Sequence, residues 1–132
     1  MPLFTDLKIS RNLEKALADL GFENITPIQE KAFPIVMSGS DVVGIAQTGT
    51  GKTFAYLLPI LNTLNFSKDI HPKVVVLVPT RELVVQVVEE AEKLAKYSGI
   101  RVLGVFGGKS MLRQKDALAL GTDVLVATPA RL

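Results

Sequence analysis

The sequence predicts an α/β fold, a parallel sheet flanked by helices and truncated after about four strands. Three observations point there. Short β-branched runs alternate with amphipathic segments from Val42 onward, the pattern of right-handed βαβ crossovers around a parallel sheet. A glycine-rich turn joins the first of those runs to a helical segment. Apolar residues make up 48 % of the 132 residues and charged ones 21 %, a balance that supports a packed core and argues against disorder.

In chain order, Ser10 predicts a helix cap, with Leu13, Leu17 and Leu20 on one face and Gly21 placed to stop the helix. A second start stands at Thr26-Pro27-Ile28-Gln29, and this helix is expected to reach only Ala32 or Phe33 before Pro34 interrupts it. Val42 to Ala46 reads as the first strand, and Lys52 to Leu64 as a helix bent at Pro59. Lys73 to Val78 reads as a parallel strand buried on both faces. Arg81 to Tyr97 follows as an amphipathic helix with Leu83, Val87, Ala91 and Leu94 on its apolar side. Ile100 to Phe106 and Asp123 to Ala127 supply two more strands, with a helix near Ser110 to Leu120 between them. The organisation expected is a helical preface over residues 1–33 and a sheet-bearing domain over 34–132. Every motif below except the N-terminal one falls at the carboxyl end of a strand, where such sheets bind ligands.

Composition excludes some function classes. With no cysteine, disulfides and zinc–thiolate sites are ruled out, and a cytoplasmic location is expected. Val74 to Val78 is the longest purely apolar stretch, too short to cross a bilayer, and no secretory-signal pattern opens the sequence, so no membrane partner is expected. Fifteen basic against thirteen acidic residues give a net charge of +2, too mild to mark a nucleic-acid binder by charge alone.

The chemistry is concentrated at Ala46-Gln47-Thr48-Gly49-Thr50-Gly51-Lys52-Thr53. The general phosphate-gripping fingerprint is G-x-x-x-x-G-K-[ST] after a strand, met here except at its first position, Ala46. Gly49 and Gly51 permit positive φ, so successive N–H groups can converge on phosphate oxygens, and a helix beginning near Lys52 turns its positive dipole end toward the same anion. Lys52 would reach the β- and γ-phosphates and the Thr53 hydroxyl would ligate Mg²⁺. A glycine-rich turn with an incidental lysine is the bland alternative; strand, spacing, Gly-Lys-Thr and helix together favour a nucleoside triphosphate.

Taken with its neighbours, this loop resembles motif I of the DEAD-box RNA helicases, and four further matches follow the family's order. Gly21-Phe22-Glu23-Asn24-Ile25-Thr26-Pro27-Ile28-Gln29, with Phe4 upstream, is similar to the Q motif. Pro79-Thr80-Arg81-Glu82-Leu83 with Gln86 resembles motif Ia, Gly107-Gly108 the glycine doublet, and Thr128-Pro129-Ala130-Arg131 motif Ib. Three positions depart from the usual pattern: Ile25 for proline, Val84 for alanine and Ala130 for glycine.

The resemblance implies a RecA-like domain with ATP and Mg²⁺ as cofactors and RNA as partner. Gln29 would bond the adenine edge, with Phe22 stacking on the ring, Phe4 closing the pocket and Thr26 beside them. Pro79, Thr80, Arg81, Gly107, Gly108, Thr128, Pro129 and Arg131 would meet the RNA sugar-phosphate backbone without reading sequence. Plainer roles stand beside these. Thr26-x-x-Gln29 with Pro27 is a proper capping box, Phe4 and Phe22 suit a core, Thr80 suits a helix cap, and Thr128-Pro129 and the glycine doublet suit turns. Lys109, Arg113 and Lys115 read as a solvated helix face, and His71 takes no role.

The 132 residues contain neither Asp-Glu-Ala-Asp nor Ser-Ala-Thr, two further motifs of the family. The sequence therefore reads as the first half of a first helicase domain, expected to bind nucleotide weakly without useful hydrolysis, since phosphoryl transfer needs all its parts in place together. The parent would add a second RecA-like domain, closing a clamp on ATP and RNA to separate short duplexes. The unpaired edge of the phosphate-loop strand is expected to bring self-association or a disordered continuation of the chain. A DNA-directed superfamily 2 helicase and a nucleotide-dependent RNA clamp without processive unwinding are the alternatives.

Overall fold

Among the described residues, three four-residue valine-rich runs form parallel strands, β1 (Val74–Leu77), β2 (Val102–Val105) and β3 (Val124–Ala127), in the order β1-β3-β2. The computed structural model describes residues 3–47, 51–64, 68–107 and 111–131. In the ladders Val124 stands opposite both Val74 and Val102, and Ala127 opposite both Leu77 and Val105, so the three strands end level.

Among the described residues five α-helices accompany them: α1 (Arg11–Asp19), α2 (Pro27–Met37), α3 (Lys52–Thr63), α4 (Arg81–Leu94) and α5 (Met111–Ala119). Ser10 caps α1 by accepting the Leu13 N–H at 3.3 Å, as its sequence position predicts. Leu17, Leu57, Leu58, Val84 and Leu94 pack with Val124 and Val126 into the main core on one side of the sheet. Leu125 and Ala127, which point the other way, meet Val105, Leu103 and Leu118. No helix among the described residues is long and apolar enough to cross a membrane.

Four expectations are corrected. The helix begun at Pro27 does not stop before Pro34 but runs through it to Met37. Pro34 is exposed, so the carbonyl it leaves without a donor can turn to water, and the Ser38 N–H closes the next turn on the Pro34 carbonyl at 3.0 Å. Val42 to Ala46 is not a strand: the described residues offer it no ladder partner, and Val43 and Ile45 stand 89 % and 91 % exposed. The sheet therefore has three strands among the described residues rather than four. β1 is not buried on both faces either, because Val75 and Leu77 lie on the side left open beyond α5; β3, in the centre, is the strand buried throughout. On α4 the buried stripe is Val84, Val87, Ala91 and Leu94, with Leu83 on the surface, and the helix ends at Leu94.

The strand starts are tied to one another. Asp123, fully buried just before β3, accepts the Arg101 backbone N–H at 2.8 Å and its guanidinium at 3.0 and 3.2 Å, with the Lys73 ammonium 3.7 Å away. Burial works to raise the Asp123 pKa, but the bonds from Arg101 and the charge of Lys73 outweigh it and hold the carboxyl below its usual range. A depressed folded-state pKa contributes stability that is present above the unfolded value and lost as pH falls through the folded one. Stability measured by urea unfolding should therefore fall below about pH 4. Asp123→Asn should cost about 3 kcal/mol at neutral pH and flatten that acid limb.

Candidate functional site

Gln29 is placed by its own helix start. Thr26 is the N-cap of α2 and Pro27 its first residue, which brings the Gln29 side chain back over the turn. The Thr26 N–H donates to Gln29 Oε1 at 2.9 Å, while Gln29 Nε2 donates to the Gly51 carbonyl at 3.1 Å. Gln29 is buried and joins the start of α2 to the start of α3, 22 residues on. The capping role and the contact with the start of α3 are thus held by one amide. Gly51 adopts φ +81° as the N-cap of α3, and a Cβ there would collide with Gln29 Nε2. Both its backbone conformation and this close approach demand glycine.

Around this joint lies a cavity of about 540 Å³. Phe4, Phe22, Thr26 and Gln29 line one side, Lys52 and Thr53 bring the N-terminus of α3 to it, and α4 supplies the remaining wall. Phe4 both packs in the core and touches the cavity; it is fixed by its N–H bond to the Glu23 carbonyl at 2.9 Å. Phe22 is exposed and meets Phe54 edge-on, with ring centroids 5.2 Å apart. Burial raises the Tyr56 pKa, opposed by the neighbouring Thr53 hydroxyl and reinforced by the charge of Glu90. The Thr26 hydroxyl, in the wall, has no hydrogen-bond partner among the described residues. Ala46 and Gln47 lead toward the loop. Thr48, Gly49 and Thr50 lie outside the described residues.

The second group of candidates stands along the carboxyl rim of the sheet. Pro79 and Thr80 follow β1, Gly107 follows β2, and Thr128 and Pro129 follow β3. Because the strands are parallel and end level, the topology sets these three loops side by side. Thr80 Oγ1 caps α4 by accepting the Leu83 N–H at 3.2 Å. The exposed Arg81 Nε lies 3.3 Å from Glu82. The Thr128 N–H bonds the Val105 carbonyl at 3.3 Å, tying two rim loops together. Gly107 is exposed, and a Cβ there would meet nothing within 4 Å, so neither packing nor a positive φ calls for glycine. Gly108 and the side chain of Arg131 lie outside the described residues.

Sequence reasoning missed Phe54 and Glu90 in the cavity and placed Leu83 in the core. Leu83, Gln86 and Glu90 recur at helical spacing on α4, a signal visible in the sequence but masked by the apolar stripe beside it.

The sequence pattern of the DEAD/DEAH box helicases matches residues 26–132. The chain belongs to that family. It is 43 % identical over 130 residues to the ATP-dependent RNA helicase DeaD of Haemophilus influenzae, covering 98 % of this chain and 21 % of that protein. It is 42 % identical to the DEAD-box ATP-dependent RNA helicase RhpA of Helicobacter pylori, covering 99 % and 26 %. The chain thus spans about a quarter or less of these curated relatives. A DEAD box protein from the hyperthermophile Methanococcus jannaschii superposes with a TM-score of 0.90 at 32 % identity, over 99 % of this chain and 36 % of that one. A hypothetical ATP-dependent RNA helicase from Sulfolobus tokodaii superposes with a TM-score of 0.82 at 36 % identity, over 93 % and 35 %. These likenesses carry the RecA-like fold expected for the family onto the three-stranded sheet described above.

Gly51→Ala should destabilise the chain by about 1–3 kcal/mol in thermal or urea unfolding, since it strains the backbone and displaces Gln29. An unchanged midpoint would show that the Gln29–Gly51 contact bears no load.

Proposed function

We propose that this chain forms the ATP-gripping and RNA-backbone-contacting part of an ATP-dependent RNA helicase. The observation that carries the reading is the Gln29 amide bonded to Gly51, at the foot of the helix that Lys52 and Thr53 open. A side-chain amide has two donor hydrogens and two acceptor lone pairs. Gln29 spends one of each on the Gly51 carbonyl and the Thr26 N–H. One N–H and one lone pair remain, the pair that adenine's ring nitrogen and amino group require and that guanine's edge does not match.

The rest of the cavity suits a triphosphate. The α3 N-terminus offers unpaired N–H groups and a positive dipole end, and the exposed Lys52 adds a full charge beside them. The unpartnered Thr26 hydroxyl in the cavity wall fits a site shaped for a polar ligand. Mg²⁺, held at Thr53, would neutralise charge on the β- and γ-phosphates. Phe22 presents an exposed ring on which a base can stack. On the rim, Thr80, Arg81, Gly107 and Thr128 would contact the RNA backbone. Gly107 lacks a side chain where nothing in the fold requires that lack, which suits close approach of a phosphate. In the whole protein, a second RecA-like domain would complete the site, and hydrolysis there would be coupled to strand separation.

Titration with a fluorescent adenine nucleotide should show that Lys52→Ala abolishes binding, while Gln29→Ala erodes preference for adenine over guanine and weakens the binding of both. If Gln29→Ala lowers stability by about 1 kcal/mol and leaves base preference intact, capping is its only role. Gly107→Ala should weaken RNA binding without shifting the unfolding midpoint. The 132 residues by themselves should show no Lys52-dependent phosphate release.

A further inference from the structure

Glu90 lies on the α4 wall of the cavity, one turn beyond Gln86, and the reading above leaves it unused. Its Oε2 is buried and has no hydrogen-bond partner among the described residues. Burial pushes its pKa above the usual carboxylate range, against the opposing charge of Lys93 on the next turn. The desolvation cost of this oxygen is therefore already met in the free protein, and a donor supplied by a ligand would gain nearly its full hydrogen-bond energy.

A nucleoside triphosphate has few donors to give. Its phosphates only accept, are drawn to Lys52 and the α3 N-terminus, and are repelled by a carboxylate. Its exocyclic amino group faces Gln29 in the reading above. The donors that remain are the hydroxyls of the sugar, which the covalent structure sets between base and phosphates. The geometry points to Glu90 as a specificity-determining residue that accepts hydrogen bonds from the ribose hydroxyls of the bound nucleotide. This inference rests on the nucleotide reading of the cavity and deepens it, adding selection for a ribose over a deoxyribose sugar. A site built to bond a hydroxyl leaves a buried group unpaired when the hydroxyl is missing, so discrimination should be about tenfold or more.

The test is equilibrium titration of the protein with Mg²⁺-bound ATP, 2′-deoxy-ATP and 3′-deoxy-ATP. The wild type should bind ATP about tenfold tighter than at least one deoxy analogue. Glu90→Leu, similar in volume but without an acceptor, should bring the affinities together by weakening ATP and sparing the deoxy analogue. Glu90→Gln, which keeps a carbonyl oxygen, should retain part of the ratio and carries the test should the leucine variant fail to fold. Equal affinity of the wild type for all three, or an equal loss for all three in the variants, overturns the inference while leaving nucleotide binding in place. Failure of the folded wild type to bind any of them overturns the nucleotide reading, and this inference with it.

Discussion

Asp123 stands at the start of the central strand with its carboxylate removed from water, and the residues that neutralise it, Arg101 and Lys73, stand at the starts of the two flanking strands. A buried charge is tolerated only when it is paired and fully hydrogen-bonded, so the strand starts are drawn into one arrangement by the need to satisfy it. With the starts fixed and the strands parallel, the residues that leave the sheet do so at the same level. The capped start of α4, the turn at Gly107 and the turn at Thr128 are thereby brought into one row. The ion network lies at the end of the sheet opposite those loops and acts on them only through register.

The cavity depends on a different joint. Neither α2 nor α3 belongs to the sheet's ladders, yet they pack on each other more extensively than any other helix pair, and Gln29 bonds Gly51 at the point where both begin. Phe22 and Phe54 repeat this connection in aromatic form, one ring from each segment. The cavity is therefore bounded by helix starts, which are rich in unpaired N–H groups, instead of by strand edges.

Local signals were legible where the deciding interaction was local. The Ser10 cap, the stop at Gly21 and the strand runs at 74–77, 102–105 and 124–127 follow from neighbouring residues and appear nearly where periodicity places them. The motif spacing located the rim, because a strand end followed by a turn or helix start is itself a sequence pattern, and it located the cavity through the glycine and helix start at Gly51 and Lys52. What escaped was decided at a distance. Pro34 breaks a helix only when the freed carbonyl has nowhere to turn, and on the exposed side of α2 it can meet water. Val42 to Ala46 has strand composition, but a strand exists only as half of a ladder. The helical spacing of Leu83, Gln86 and Glu90 marks a shared face of α4, but that the Glu90 carboxylate has a buried, unpaired oxygen depends on tertiary packing that spacing does not report.

The hydrogen bond from Gln29 to the Gly51 carbonyl joins two selections that many binding sites keep apart. In this cavity the group that would choose the base also holds the backbone that would hold the phosphates. Preference for the base and strength of grip are then not independent properties, and a substitution that widened the range of accepted bases would loosen the hold on every one of them. Such a site resists gradual drift toward another nucleotide, because each intermediate step gives up affinity before it gains a new specificity.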